Sequence, residues 1–182
     1  MHRKKFMATA FSFIPALAFA RMAQTGEETK QPFIVRAGEA RYGKPLFYKG
    51  KHPNNVVIAK TDTGGAFSVF SYTGLDKIGP STHLHEEQDE IFWVTEGSYR
   101  FMVGGQLHEL AAGDTIFLPR KIAHSWIQLS ERGSLLYAVH PAGTMEEFFI
   151  EMSERTTPPT EEEAKAIHRR HGMQLIGPGL KL

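Results

Sequence analysis

The chain has 182 residues, a formal charge of +1 and no cysteine, and 41% of it is apolar, with thirteen Phe. This length suits one domain with additional terminal segments, and the apolar share can fill a buried core. A near-neutral balance without a long basic run excludes the footprint of a nucleic-acid binder. The missing cysteine excludes disulfides, thiolate metal ligands, a cysteine nucleophile and a lipid-carrying cysteine.

Residues 1–20 differ from the rest. A basic start, "MHRKK", precedes the apolar run "FMATAFSFIPALAFA", which Pro15 interrupts and Ala18-Phe19-Ala20 ends. That pattern predicts a signal peptide cleaved near Ala20 and an exported, periplasmic or extracellular, protein without a stable membrane anchor. The polar stretch 21–32, "RMAQTGEETKQP", carries no periodicity and is expected to be a flexible linker.

From 33 to 143 the chain alternates short β-type runs with glycine turns. The runs include "FIVR", "NVVIAK", "AFSVFSY", "IFWVT", "SYRFMV", "TIFLP", "HSWIQL" and "SLLYAVH"; the turns include "TGG", "TEG", "VGG" and "AAGD". Strands at this density predict an all-β sandwich or barrel. Residues 144–182 are expected to hold C-terminal helices and a tail. In the first helix Thr144 and Glu147 form a capping-box pattern, and Met145, Phe148, Phe149 and Met152 make an apolar stripe for the outside of the barrel. The second runs from Glu161 to His171, with Thr160 and Glu163 as its box and Gly172 as its stop. The tail "MQLIGPGLKL" is apolar enough to dock as an edge strand or on a second subunit.

Chemistry concentrates in "THLHEEQDEIFWVTEG", residues 82–97. On a strand His83 and His85 project to one face, and Glu90 can join them after the acidic loop turns the chain. Imidazole with carboxylate suits a divalent first-row metal. "GDTIFLPRKIAH", residues 113–124, then brings His124 from a different strand.

These residues resemble the motifs of the cupin superfamily. His83, His85, Glu90 and Gly97 follow its first motif, and Gly113, Pro119 and His124 its second. Lys121 and Gln128 stand where that second motif has glycine and asparagine, and Gly79 lies closer to His83 than the first motif's leading glycine. The resemblance extends to small single-domain bacterial cupins described as quercetin 2,3-dioxygenase-like, through "FLPRKIAHSW" and "HPAGTMEEFF". It implies a double-stranded β-helix, or jelly-roll barrel, with His83, His85, Glu90 and His124 as ligands of one divalent transition metal (Fe, Mn, Ni, Cu, Co or Zn). It also implies a homodimer.

Strand parity puts Phe92 with Glu90, and Trp126 and Gln128 with His124, while Phe101 belongs to a neighbouring apolar face. Phe92, Phe101, Trp126 and Gln128 are therefore the candidate substrate contacts in an apolar, small-molecule cavity. Glu86, Glu87 and Asp89 are expected in a solvated loop, and His108, His168 and His171 on the surface. The leading function is a metal-dependent dioxygenase for a phenolic or enolisable small molecule, with Glu90 as ligand and, if loosely held, as catalytic base. The same ligands serve a non-redox isomerase, epimerase or lyase, or a secreted binding protein without catalysis.

Overall fold

A computed structural model describes residues 31–182. The expected signal peptide and nearly all of the expected linker lie outside the described residues. The first β-type run, "FIVR", is not a strand. Among the described residues, regular structure begins with β1 (Phe47–Tyr48), β2 (His52–Ile58), the single-turn helix α1 (Lys60–Thr63) and β3 (Ser68–Gly74). Next come β4 (Thr82–His85), β5 (Asp89–Glu96), β6 (Ser98–Val103), β7 (Gln106–Ala111), β8 (Thr115–Leu118), β9 (His124–Gln128) and β10 (Gly133–His140). Helices α2 (Met145–Glu154) and α3 (Glu161–Arg170) then lead to β11 (Met173–Gly177).

The strands form two antiparallel sheets, ordered β1-β2-β3-β10-β5-β8 and β11-β4-β9-β6-β7. Neighbours in space are distant in sequence, as in a jelly roll: β10 lies between β3 and β5, and β9 between β4 and β6. Alternation decides which side chains turn inward. On β3, Phe70 and Tyr72 are buried while Val69 and Ser71 are not; on β5, Phe92 and Val94 are buried while Trp93 is exposed. The inward aromatics of the two sheets meet, with Phe92 at 5.4 Å from Phe101 and Tyr72 at 5.2 Å from Trp126 between ring centroids. Edge-on pairs at this spacing add to the burial of their area.

The C-terminal segment departs from expectation in a way that shapes the site. The apolar stripe of α2 does not rest on the outside of the barrel. Phe149 packs on the inward residues Phe70 and Tyr137, at 5.1 and 6.3 Å, so the helix closes the barrel's interior. Thr144 makes no side-chain cap, and the Glu147 carboxylate pairs with Lys60. The box on α3 does form, with Thr160 N–H donating to Glu163 Oε2 at 2.8 Å and Glu163 N–H to Thr160 Oγ1 at 3.3 Å. Gly172, at φ +73°, ends the turn and sends the tail into β11. That strand pairs with β4, which makes the tail an edge strand of the same domain.

Candidate metal centre

His83 and His85, two residues apart on β4, present their rings to one side. β9 holds one edge of β4, with His83 opposite His124; β11 holds the other, with Met173 opposite His85. Glu90 comes from the facing sheet, inside β5, where it lies between Val139 of β10 and Leu118 of β8. One donor atom from each of these four residues lies within 4.8 Å of the others.

All three rings tie down Nδ1 in the same way. His83 Nδ1 meets the Ser81 carbonyl at 2.8 Å, His124 Nδ1 the Ile122 carbonyl at 2.9 Å, and His85 Nδ1 the Gln88 Oε1 at 3.0 Å. With Nδ1–H donating in each, Nε2 carries the lone pair that faces the common point. Burial, followed by the neighbouring His124 and His85, pushes the His83 pKa down to about 3, which keeps its ring neutral at neutral pH. Burial pushes the Glu90 carboxyl up, but the three imidazoles outweigh it and hold the pKa at about 2. Its position among the three imidazoles is that of a ligand.

The four residues fit a metal ion. Glu90 Oε2 is 3.1 Å from His124 Nε2 and 3.6 Å from His85 Nε2. Yet both nitrogens are buried without a hydrogen-bond partner among the described residues. Such orphaned groups are costly in a protein interior unless something binds them. Three imidazole nitrogens and one carboxylate gathered at one point can bind a divalent transition metal.

Gln88, absent from the sequence-based site, completes the surroundings. Its Nε2 donates to the carbonyls of Ala142 at 2.8 Å and Pro141 at 3.2 Å, which turns Oε1 towards His85. The loop "EEQD" thus places one buried amide among three acids. Those acids do not replace a ligand: Asp89 is paired with Arg120 at 2.6 Å, Glu86 accepts from Gln174, and Glu87 is exposed.

A cavity of about 650 Å³ opens beside the cluster, and His83, Glu90 and His124 form part of its wall. Phe92, Trp126 and Tyr137 line it from the sheets, and Phe148, Met152 and His168 from the helices. Two expected substrate contacts lie elsewhere. Phe101 is wholly buried in the core, with its ring 6.4 Å from Trp126. Gln128 is also wholly buried, and its amide is used structurally: Nε2 donates to the Ser130 carbonyl at 2.9 Å, and Oε1 accepts from Tyr99 Oη at 3.2 Å. His108 is exposed as expected. His168 and His171 are not surface residues: His168 lines the cavity, while His171 is buried against Glu151 at 3.0 Å. Both rings pack against Phe148, at 5.2 and 5.7 Å, and their helical spacing is the sequence signal of that inward face.

Residues 76–140 match the family model of the cupin domain. The chain carries a cupin domain. Quercetin 2,3-dioxygenase of Bacillus subtilis (strain 168) is 30% identical over 118 residues, or 65% of this chain and 34% of that protein. The chain therefore spans about a third of that relative's length. Among solved structures, an RmlC-like cupin from Shewanella frigidimarina aligns with a TM-score of 0.53 and 18% identity, over 65% of this chain and 96% of that one. KdgF from Halomonas sp. aligns at 0.52 and 15%, over 61% and 94%. At these identities the two structures establish the cupin fold alone. The family match includes all four clustered residues but ends before α2, so the helical wall of the cavity lies outside it.

Proposed function

We propose that this cupin is a metal-dependent dioxygenase acting on a phenolic or enolisable small molecule. The observation that carries the reading is three oriented imidazole nitrogens and one carboxylate converging at the wall of an aromatic cavity. Likeness to a quercetin 2,3-dioxygenase over part of the chain supports it. His83, His85, His124 and Glu90 hold the metal. A divalent metal held there would supply a Lewis acid for a substrate oxygen. Phe92 and Trp126 flank the flat body of the substrate, and α2 keeps bulk water from it. Glu90 acts as ligand. We also propose export, with the mature chain beginning at residue 21.

Elemental analysis of the purified protein, beside Glu90→Ala and His124→Ala, tests the centre. Near-stoichiometric iron, copper, nickel or manganese, lost in both variants, with dioxygen uptake on adding quercetin, is the expected outcome. Zinc without dioxygen uptake favours a non-redox isomerase, epimerase or lyase. A chain that takes up no metal even on reconstitution rejects the metalloenzyme reading.

A further inference from the structure

His168 stands beside the metal cluster without belonging to it. It lies on α3, beyond the part of the chain that matches the cupin family, and shares the cavity wall with His83, Glu90 and His124. Its ring centroid is 6.1 Å from that of His83, at 69°, and 5.2 Å from that of Phe148, at 68°. It is outside the group of four whose donor atoms lie within 4.8 Å of one another.

The orientation of its ring is fixed in the same manner as in the three clustered histidines. His168 Nδ1 meets the carbonyl of Ala164, one helical turn earlier, at 2.7 Å. With Nδ1–H donating, Nε2 is an acceptor, and it makes no hydrogen bond among the described residues. An apolar side chain would serve the contact with Phe148 equally well. A histidine with one nitrogen tied down and the other free, on the wall of an otherwise largely apolar cavity, is suited to recognising a ligand hydroxyl.

We infer that His168 is a second recognition point: its Nε2 accepts a hydrogen bond from a hydroxyl adjacent to the oxygen taken by the metal. The preferred ligand then carries two neighbouring oxygens, at least one a hydroxyl, as in a catechol or a vicinal hydroxy-ketone. This rests on the metal-site reading above and deepens it by naming the ligand class and the residue that selects it. His168 is a specificity residue, and it is supplied by the C-terminal helices rather than by the barrel.

The test compares zinc-loaded wild type with zinc-loaded His168→Phe, a change that keeps an aromatic ring against Phe148. Calorimetry measures binding of catechol and of 2-methoxyphenol, in which one hydroxyl of the pair is blocked. The expected result is a catechol preference of about tenfold or more in the wild type, the range of one good hydrogen bond to a buried acceptor. In His168→Phe the catechol affinity falls about tenfold, while 2-methoxyphenol stays within about twofold and zinc content is unchanged. His168→Leu carries the same comparison if the phenyl ring does not pack. A wild type without the catechol preference overturns the inference, as does a variant that keeps it. Loss of zinc from the variant also overturns it, since His168 would then be a ligand. Dioxygen uptake with quercetin is measured separately on the iron-loaded protein: its absence sinks the oxygenase reading and leaves the affinity result standing.

Discussion

Gln88 and Lys121 act on the ligands without touching the point where they converge. Gln88 fixes the tautomer of His85 and is itself fixed by two carbonyls. Gln88→Ala removes the acceptor of His85 Nδ1–H, frees the ring to turn and takes the amide donor from the carbonyls of Pro141 and Ala142, of which Ala142 keeps the Met145 N–H at 3.3 Å. Metal affinity is expected to fall by about 10- to 100-fold, the usual cost of losing such support, as read by competition with a coloured chelator. Lys121 occupies a left-handed conformation at φ +64° while its N–H donates to the His85 carbonyl at 2.7 Å. The conformation that a cupin glycine would take there is kept, and a lysine bears its strain. Its side chain is exposed, so Lys121→Gly loses no packing. Urea unfolding should show the variant more stable by about 1 kcal/mol, the left-handed penalty less the added chain entropy of glycine. The four clustered residues were legible in the sequence because donor chemistry and strand parity are both written in residue type and spacing. Gln88 was not, because an amide among acids has no meaning until the Pro141–Ala142 turn folds over it.

The strands of the barrel were legible from alternation, whereas the role of the helices was not. An amphipathic pattern says that α2 buries a face, and only the tertiary fold says that the face closes the cavity. The same limit applies to Gly79. A Cβ there would lie 1.7 Å from the Trp126 carbonyl oxygen, so the segment before β4 lies directly on the backbone of β9. Gly79→Ala must push these segments apart and is expected to cost about 3 kcal/mol or more, with weaker metal binding because His83 and His124 sit on the displaced strands. Full stability and metal affinity in that variant would contradict the close approach. A second contact between elements is sensitive to acid. Arg41 donates to both Asp62 oxygens at 3.0 Å, and Asp62 also accepts from the Ala59 N–H that opens α1. The Arg41 hydrogen bond, helped by Ala59, holds the Asp62 carboxyl below its ordinary range. A depressed folded-state pKa contributes stability above the unfolded value of about 4, and that contribution disappears as pH falls through the folded value. The stability difference between wild type and Asp62→Asn should therefore be constant near neutral pH and shrink below about pH 4, as followed by urea unfolding across that range.

At the scale of the whole domain, the metal ligands do not all belong to one sheet. His83, His85 and His124 come from the five-stranded sheet and Glu90 from the six-stranded sheet. A bound ion thus ties together two layers that otherwise meet through aromatic packing, and β11 adds the end of the chain to the same strand that carries two of the ligands. Because the ligands converge only in the folded chain, binding favours the folded state. With free metal at 100 times its dissociation constant the gain is about 2.7 kcal/mol. For a domain of this size that corresponds to a rise in Tm of about 5–10 °C. Thermal unfolding of the metal-loaded protein, before and after exhaustive chelation, measures this. Glu90→Gln keeps the side-chain volume while weakening the one ligand from the second sheet, and its Tm should lie close to that of the chelated wild type and respond little to chelation itself. If chelation leaves the wild-type Tm unchanged although one equivalent of metal has been removed, the ion occupies a site formed equally well in the unfolded chain or lies outside this cluster. Either result would separate the four residues from the role assigned to them here.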